Sequence, residues 1–518
     1  MLIEHNVVQK DPRKVDVRFA SCYPNLYKTA MSSLGYHIIY DFLNSREDVY
    51  CERVVYPYHK SLESNTPLKN FDIISFSLQY EQDYFNVLSM LNKGNIPIKC
   101  DDRASRDPFV IAGGPCATAN PLPMTKFVDL FIVGEAEVIL DEVLDVYMEL
   151  DDPRKSIEAF MDIKGVYVPD NPVKRNIVKD VDDACHPVRQ VVPETSDKRF
   201  IPAFGHAFLL EVSRGCTRGC RFCMSGYLYR PRRETSLKKL LKIAEKGRNA
   251  TGLNKIALIG AAVSDYSKID ELCENLLEMD FKLTTPSLRI ETVTEKLIDS
   301  LGKSGLKTVT LAPESTCLIR RSLNKDISDD KLFNVSKMVF DKNMNIKYYF
   351  LIGTPHESLE DLKEMLELIN NLRKIAPKKN MVKLSFNPLI PKPHTPLQWE
   401  KFNYDDVKSK ISFINNNLGY KSFKIENLKG AFIQYILSVG SSKLGNLIEK
   451  SWQSRINLKE WEKHEKTMMY SLESELPWKN IDVGVNNEFI KKEYKKMFKG
   501  EMTGWCEEYG CYKCGSCI

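Results

Sequence analysis

The run SRGCTRGCRFCMSGYLYRPRRE, residues 213–234, places three cysteines within eight positions: Cys216, Cys220 and Cys223. It directly follows the apolar run AFLLEVS (207–213), which predicts a β-strand. Three thiolates on the loop after a strand can bind three irons of a cubane cluster and leave the fourth iron open to another ligand. Three protein ligands and a water also suit a catalytic zinc ion, so the spacing alone leaves zinc open. The run therefore predicts a catalytic metal centre at these three cysteines.

A regular alternation of strands and helices begins at this run. The predicted strands are 207–213, 255–260, 286–290, 307–312, 346–353 and 382–389. Helical patterns fall between them at about 236–248, 266–279, 293–304, 327–342 and 358–374. Because the active face of a (β/α) barrel is the carboxyl edge of its strands, the three cysteines would lie on that face. We expect a full or partial barrel.

The first part of the chain alternates in a similar way. Apolar runs at 15–20, 71–78, 108–115 and 128–137 predict strands, and helical patterns follow at 27–44, 84–91 and 138–150. Strands that alternate with helices and end in glycine-containing turns are typical of a doubly wound parallel sheet. Ligands on such sheets bind at the carboxyl ends of the strands.

These patterns predict an α/β protein of four segments. Residues 1–160 would form a Rossmann-like domain and residues 205–400 the barrel. Residues 161–204, rich in Pro, Asp and Lys, read as a connector with room for a small hairpin. Residues 401–518 form a mixed C-terminal region whose fold the pattern does not resolve.

Composition limits the class of function. The 74 basic and 69 acidic residues leave a net charge of +5, too small an excess to indicate nucleic-acid binding. No apolar run approaches the ~20 residues of a membrane helix, and the start lacks a signal-peptide core. We therefore expect a cytoplasmic protein without membrane contact. Fourteen cysteines in a reducing compartment favour metal binding or catalysis over disulfides.

The motif CTRGCRFC resembles the cluster-binding motif of the radical S-adenosylmethionine (SAM) superfamily. The resemblance implies a [4Fe-4S] cluster on Cys216, Cys220 and Cys223, and SAM bound at the open iron. One electron, from a donor such as ferredoxin or flavodoxin, would cleave SAM to a 5′-deoxyadenosyl radical. Phe222 would help to cover the cluster. Three arginines would offset its negative charge: Arg214, Arg218 and Arg221.

The same resemblance suggests residues that contact SAM. LIGAAVSDY takes the place of the family's Gly-rich segment near the methionyl amino group, although it departs from the usual GGE-like form. TLAPEST and Arg289 would bind the SAM ribose or carboxylate, and IGTPHES resembles the adenine-side segment. A purely structural role is the alternative for each, such as a turn capped by Ser358. The candidates are Gly260, Ser264, Asp265, Arg289, Glu314, Ser315 and Gly353.

The segment GGPCATANPLPMTKFVDLFIVGEAE resembles the cobalamin-binding half of radical SAM enzymes that carry such a domain before the barrel. Bare glycine backbone would let a flat corrin ring approach closely. The D-x-H-x-x-G motif that supplies the lower cobalt ligand is absent, so that face would be bare, water-bound or capped by another side chain. A Rossmann-like domain without cofactor is the alternative. The expected contacts are Ser77, Gly113, Gly114, Pro115, Gly134 and Glu135.

Four further cysteines end the chain: Cys506, Cys511, Cys514 and Cys517. Their density suits a structural zinc site or a second iron–sulfur cluster. The alternatives are a disordered, redox-labile tail, or a tail that folds back over the barrel mouth. The seven scattered cysteines read as small buried hydrophobic residues.

We predict a cobalamin-dependent radical SAM C-methyltransferase that acts on an unactivated carbon of a peptide or protein side chain. By resemblance, one SAM would methylate cobalt and a second would supply the radical. Radical SAM sulfur insertion, cyclisation and carbon–carbon coupling are the alternative reactions. A non-catalytic RNA- or protein-binding factor that keeps its cluster has support only in Arg230, Arg232 and Arg233.

Overall fold

A computed structural model of the protein describes residues 2–418 and 423–517. Its first sheet has six strands, of which five are parallel and the last is antiparallel. In spatial order they are Val49–Val55, Val17–Tyr23, Ile73–Ser77, Phe109–Gly113, Leu130–Ile132 and Val166–Tyr167. The five parallel strands follow the doubly wound order 2-1-3-4-5, in which ligands bind where the first and third strands diverge. The predicted Rossmann-like sheet is confirmed.

The edge strand Val49–Val55 was not predicted, because charged residues interrupt its apolar pattern. Arg53 and Glu52 lie within it, yet both are buried. Arg53 pairs with Glu63 at 2.6 Å, and Ser61 donates a hydrogen bond of 2.6 Å to Glu52. The partners lie in a later loop, so local sequence does not reveal that the strand can be buried. The helices of this part are Tyr27–Ala30, Leu34–Ser45, Tyr84–Lys93, Pro115–Ala119 and Leu140–Glu149.

Seven parallel strands form the second half of the structure. Three pair in one sheet: Phe208–Glu211, Lys255–Ile259 and Lys282–Thr284. Four pair in another: Thr308–Glu314, Asn345–Ile352, Val382–Pro388 and Phe423–Ile425. A parallel bridge from Leu288 to Leu311 joins the two sheets. Within the described ranges the first and last strands do not pair, so this is a partial (β/α) barrel, as predicted.

The barrel helices lie where the sequence pattern placed them: Leu237–Thr251, Ile269–Glu278, Glu295–Lys303, Asp329–Asp341 and Leu359–Ile375. A short helix, Cys317–Ser322, was not predicted. The strand predicted at 286–290 is wrong, since the strand there is Lys282–Thr284. Pro286 lacks the N–H that a central strand needs, and residues 290–292 form a 3₁₀ turn.

The connector and the C-terminal region hold the two halves together. In the connector, Val173–Lys174 pairs with Ile481–Asp482, and Val192–Glu194 pairs with Ile3–His5. The C-terminal region is mainly helical, and its helix Leu428–Val439 is almost wholly buried. The other helices are Tyr404–Leu418, Leu444–Gln453, Leu458–Glu465, Asn487–Phe498 and Cys506–Tyr509. In the part of the chain that the structure describes, no helix has the length and apolar character needed to cross a bilayer.

Candidate active site

The loop that carries Cys216, Cys220 and Cys223 follows the first barrel strand. A two-residue ribbon, Ser213–Arg214 against Arg233–Glu234, closes the base of this cysteine loop. Cys216 and Cys220 are buried, and Cys223 is partly buried. The turn depends on Gly215, which has φ +83°, because a Cβ there would lie 2.1 Å from the Tyr229 carbonyl oxygen. The predicted grouping of the three thiols on one loop at the carboxyl edge is therefore present.

The Arg289 guanidinium contacts a thiol of the cysteine loop. Its Nη1 lies 3.4 Å from Cys220 Sγ, and its Nη2 pairs with Glu291. The Arg289 Nε is buried and has no hydrogen-bond partner among the described residues. An arginine beside thiolates offsets their charge, so this environment suits an anionic cluster. A SAM carboxylate contact for Arg289 stays a prediction.

Ser264 and Asp265 orient the arginines around the cysteine loop. Arg218 donates from Nε and Nη2 to the two oxygens of the Asp265 carboxylate, at 2.8 and 2.9 Å. The Arg289 backbone N–H donates to Ser264 Oγ at 3.0 Å. Gly260 follows the second barrel strand and packs closely against Ser213, since a Cβ there would lie 3.1 Å from Ser213 Oγ. These contacts give the three candidates a positioning role, and their contact with SAM is not tested.

The three arginines expected to offset the cluster charge are already paired with carboxylates. Arg214 contacts Glu135, Glu137 and Glu211, whereas Arg218 binds Asp265. Arg221 is fully buried and donates to Glu493 at 3.0 Å. Their charge is therefore balanced inside the protein. Arg289, in contrast, donates a hydrogen bond to the Cys220 thiol.

A second group of candidates lies further along the carboxyl edge of the barrel. Glu314 has φ +66° and pairs with Lys325 Nζ at 2.6 Å. The neighbouring Ser315 is buried. Such strained backbone persists where surrounding structure fixes it, often at ligand sites. Gly353 donates its N–H to Glu357 at 2.7 Å, and burial raises the pKa of Glu357.

Three buried oxygens near these residues have no hydrogen-bond partner in the described structure: Thr316 Oγ1, Thr354 Oγ1 and Glu357 Oε1. Buried polar atoms are normally satisfied, so a polar ligand at this edge would complete them. Beyond it, Ser358 caps the helix Leu359–Ile375 in a capping box with Asp361. The structural role considered for that turn is therefore present as well.

A cavity of about 580 Å³ separates the carboxyl edge of the first sheet from the cysteine loop. All six residues predicted to contact cobalamin line it, and Gly260 lines it from the barrel. The sheet side is Ser77, Gly113, Gly114, Pro115, Gly134 and Glu135. The barrel side includes Ser213, Arg214, Gly215, Ser225, Tyr229 and Ile259. The structure thus brings the six predicted cobalamin contacts and one predicted SAM contact, Gly260, to one space.

Not every glycine of this cavity is explained by a ligand. Gly114 has φ +98°, and a Cβ there would lie 2.9 Å from the Leu78 carbonyl oxygen. Gly134 has φ +109° and packs against Asn176 of the connector. Gly35, which sequence reasoning missed, differs, because a Cβ there would meet no atom within 4 Å. It therefore offers bare backbone at the cavity wall.

Glu135 links the sheet to the cysteine loop. Its carboxylate accepts hydrogen bonds from Arg233 at 2.7 Å and from Arg214 at 3.3 Å. The Val178 N–H donates to it at 2.6 Å. Burial opposes ionisation, but the two arginines hold the pKa of Glu135 below its usual value. This carboxylate is saturated by protein, so it braces the cavity wall.

The C-terminal segment packs directly on the cysteine loop. Trp505 lies 3.6 Å from the Arg218 guanidinium, measured to the ring centre, and its Nε1 donates to Thr217 Oγ1 at 2.8 Å. Glu507 pairs with Arg232. Arg230 donates to the Thr217 carbonyl oxygen at 3.3 Å. Because Arg230, Arg232 and Arg233 are all engaged inside the protein, they do not support a nucleic-acid interface.

The four terminal cysteines follow this contact immediately. Cys514 is buried and Cys506 partly so, whereas Cys511 and Cys517 are exposed. All are free thiols. Within residues 2–418 and 423–517, no three His, Cys, Asp or Glu side chains are arranged to bind one metal ion. A tetrahedral zinc site would hold the sulfurs about 3.8 Å apart, given Zn–S bonds of ~2.3 Å. In a cubane each thiolate binds its own iron, so the four thiols would lie further apart than around one zinc ion.

Two family models match the chain. One, for the N-terminal part of radical SAM proteins, covers residues 35–169, and the radical SAM superfamily model covers residues 210–369. An uncharacterised protein of Methanocaldococcus jannaschii, MJ0966, is 34% identical over 439 residues, which is 83% of this chain and 90% of that protein. A ribosomal protein uS12 methylthiotransferase, RimO of Chlorobium phaeovibrioides, is 25% identical over 194 residues, 34% of this chain and 43% of RimO.

The fold resembles solved structures of the radical SAM methyltransferase TsrM from Kitasatospora setae. The form with tryptophan and a SAM analogue is 11% identical, with a TM-score of 0.52 over 74% of this chain and 75% of TsrM. The form with cobalamin and a [4Fe-4S] cluster gives 0.51 at 12% identity, over 74% and 78%. These likenesses concern the fold. The two family models and the long relative, together with the cysteine loop and the parallel barrel, lead to one conclusion: the chain belongs to the radical SAM superfamily and is an enzyme of that kind.

Proposed function

We propose that this enzyme is a cobalamin-dependent C-methyltransferase whose target is an unactivated carbon of a peptide or protein side chain. The cavity between the first sheet and the cysteine loop is the observation that carries this proposal. A ligand there would touch both the carboxyl edge of a doubly wound sheet and the loop of Cys216, Cys220 and Cys223. A radical enzyme without a second cofactor would not need that arrangement.

The cysteine loop fits a [4Fe-4S] cluster and SAM. When bound, these supply a radical: one electron cleaves the sulfonium to give methionine and the 5′-deoxyadenosyl radical that removes a substrate hydrogen. The three cysteines would hold the cluster, and Arg289 would balance its charge from 3.4 Å. The unsatisfied oxygens at Thr316, Thr354 and Glu357 would orient SAM. Burial of the loop keeps water from the reacting atoms.

The sheet side of the cavity fits a flat corrin. Gly35 and Gly113 present backbone to a ring, and no histidine lines this cavity in the described structure. His37 lies nearby in the chain, but its Nε2 pairs with the Met31 carbonyl oxygen at 3.3 Å, and burial lowers its pKa to about 4. When bound, cobalamin would supply the methyl group. We propose that its lower face is free of histidine.

Cobalamin binding is tested with Gly35→Leu, which fills the sheet side of the cavity. Gly35 lies in a helix, where leucine is favourable, so the fold should persist. The anaerobically purified variant should keep its iron and its circular dichroism but lose the optical spectrum of bound hydroxocobalamin. The matched control is Gly302→Leu, in the barrel helix Glu295–Lys303, which should bind cobalamin normally. Equal binding by both variants would place the cofactor elsewhere.

The substrate class is tested by mass spectrometry of the native proteome with and without this protein. A peptide that gains one methylene only when the protein is present supports methylation. A peptide that gains sulfur favours the alternative, sulfur insertion. That alternative draws support from the terminal cysteines beside the cysteine loop. The RimO likeness covers only about a third of this chain.

We further propose that the four terminal cysteines hold a second metal, either an iron–sulfur cluster or zinc. Arg230, which hydrogen-bonds to Cys514, and Trp505, which donates to Thr217, hold this segment on the cysteine loop and support a folded site. Cysteines 511 and 517 are exposed, so Cys511→Ala with Cys517→Ala should not disturb the core. Iron near eight per chain that falls to four in this variant would indicate a second cubane. A loss of zinc alone would identify a structural zinc site.

The proposed surroundings of the enzyme follow from this chemistry. We propose that the substrate is a protein or peptide and that a one-electron donor such as ferredoxin or flavodoxin reduces the cluster. Oxygen-sensitive clusters and free thiols also require a reducing compartment, which we propose is the cytoplasm.

A further inference from the structure

The helix Asn487–Phe498 has two opposite faces. Ile490, Glu493 and Met497 recur at helical spacing and are buried. Lys492, Lys495 and Lys499 recur at the same spacing on the other side and are exposed. The helix therefore joins the interior to a surface that carries positive charge.

The exposed lysines are not neutralised within the protein. Lys491 pairs with Glu488 at 3.5 Å, and Lys496 pairs with Glu493 at 3.5 Å. The other three form no ion pair with any residue that the structure describes. The shallow cleft along this lysine face contains five lysines and two glutamates, a net of +3: Lys491, Lys492, Lys495, Lys496, Lys499, Glu488 and Glu501.

The buried side of the helix reaches the cysteine loop. Glu493 accepts from Arg221 at 3.0 Å, and Arg221 directly follows Cys220. One helix diameter, about 10 Å, thus separates the lysine face from the loop. Exposed apolar rings lie on the same helix and on the tail that follows: Phe498, Tyr509 and Tyr512. A charged rim around a few aromatic residues is the usual anatomy of a transient protein interface.

The cluster must receive an electron from outside the protein. The cavity of about 580 Å³ is lined by cofactor candidates and includes none of these lysines. We propose that the lysine face is the docking surface for an acidic one-electron carrier protein. In this step one electron leaves the carrier, which is oxidised, and enters the cluster, which is reduced. No bond is made or broken. The proposal rests on radical SAM chemistry and does not depend on methylation.

The test measures reduction of the cluster by two reductants in the complete, reconstituted enzyme. Lys492→Glu, Lys495→Glu and Lys499→Glu together reverse the lysine face. Reduction by reduced, acidic bacterial ferredoxin, followed in a stopped-flow spectrometer, should slow by roughly tenfold to a hundredfold at low salt. The wild-type rate should fall with added salt, and the variant should lose that dependence. Reduction by dithionite, which needs no docking surface, should be unchanged.

The matched control reverses three exposed lysines on a barrel helix: Lys238→Glu, Lys242→Glu and Lys246→Glu. It should behave as wild type with both reductants. Equal slowing of ferredoxin reduction in the two triple variants would mean that overall charge, not this face, matters, and would overturn the proposal. So would normal ferredoxin reduction in the lysine-face variant accompanied by lost binding to single-stranded RNA, since the face would then be a nucleic-acid surface.

Failure here is distinguishable from failure of the proposed function. Cluster reduction and 5′-deoxyadenosine formation can be measured without any methyl acceptor. An enzyme that inserts sulfur instead of methyl would still need this electron, and the lysine-face result would stand.

Discussion

The two walls of the cavity differ in the charge and the type of residues that form them. The sheet wall is mostly bare backbone, small hydroxyls and aliphatic side chains around Gly35 and Ser77, and its two carboxylates, Glu135 and Glu137, are paired with Arg214. The loop wall is crowded with charge, because Arg214, Arg218 and nearby arginines pair with carboxylates around the thiols. A wall with few charges, all of them paired, suits a broad flat ligand, whereas a wall crowded with arginines and carboxylates suits a small anionic cluster. The difference supports the proposal that the two walls serve different cofactors.

The largest effect is expected on the loop wall, from Cys220→Ala. Loss of one of three cluster ligands should remove most of the iron and slow SAM cleavage at least about 10³-fold, or ~4 kcal/mol in barrier. Iron analysis and 5′-deoxyadenosine formation measure it. Cys273→Ala, in a barrel helix and equally buried, is the control and should keep both. Full iron content with normal SAM cleavage in Cys220→Ala would contradict the cluster assignment.

The second largest effect is expected on the stability of the protein, from the buried ion pair that supports the cysteine loop. Arg221 and Glu493 are buried, with side-chain exposures of 0% and 2%. Glu493→Gln leaves the arginine charge uncompensated, which should lower the free energy of unfolding by about 3–5 kcal/mol. Denaturant unfolding measures this loss. The control on the same helix is Glu488→Gln, whose carboxylate is 79% exposed and should cost less than about 1 kcal/mol.

A double variant tests whether the unpaired charge causes the loss of stability. Arg221→Met with Glu493→Leu removes both charges and should recover much of the stability, because no unpaired ion remains. If Glu493→Gln and Glu488→Gln cost the same, the buried pair does not brace the cysteine loop, and the contrast between the walls is weaker than the geometry implies.

The sequence predicted the cysteine loop better than the residues that support it. Cys216, Cys220 and Cys223 lie within one loop, so their spacing alone reveals the site. Arg221 and Glu493 are 272 residues apart, and neither has a local signature of the other. Most barrel and sheet strands were predictable from apolar runs, yet Val49–Val55 was not, because remote partners bury its charges. Local pattern specifies local structure, and long-range ion pairs need the fold.

The sheet wall was anticipated through its glycines, but for mixed reasons. Gly114 and Gly134 are required by backbone conformation and close packing, so their pattern would be present with or without a cofactor. Gly35 has no such requirement and was not recognised, since a helix glycine carries no local signal of the open space beside it. The helix Leu428–Val439 was not predicted for a related reason. Most of it is buried, so its apolar residues do not mark one face, and its polar Gln434 and Ser438 are satisfied by Glu81, which is remote in the chain.

The smallest effect is expected in the sheet half but outside the cavity lining, at Asp83. Asn25, which follows the first sheet strand, donates to Asp83 at 2.8 Å, and Asp83 follows the strand Ile73–Ser77. Burial raises the pKa of Asp83 to about 7. The unfolded carboxyl has a pKa near 3.9, so the folded protein binds more protons between about pH 4 and pH 7. This contribution to stability is therefore present below about pH 4 and is lost as the pH rises to about 7.

Asp83→Asn fixes the neutral form and keeps the oxygen that accepts from Asn25. Near pH 4 the variant should match wild type, and above about pH 7 it should be more stable by about 1–2 kcal/mol, below the full worth of the shift because the group is partly solvated. Urea unfolding across this range measures the difference. Asp341→Asn, exposed on a barrel helix, should show no such trend. A difference that does not change with pH would mean that the Asp83 carboxyl ionises as readily in the folded protein as in the unfolded chain, so burial would not raise its pKa.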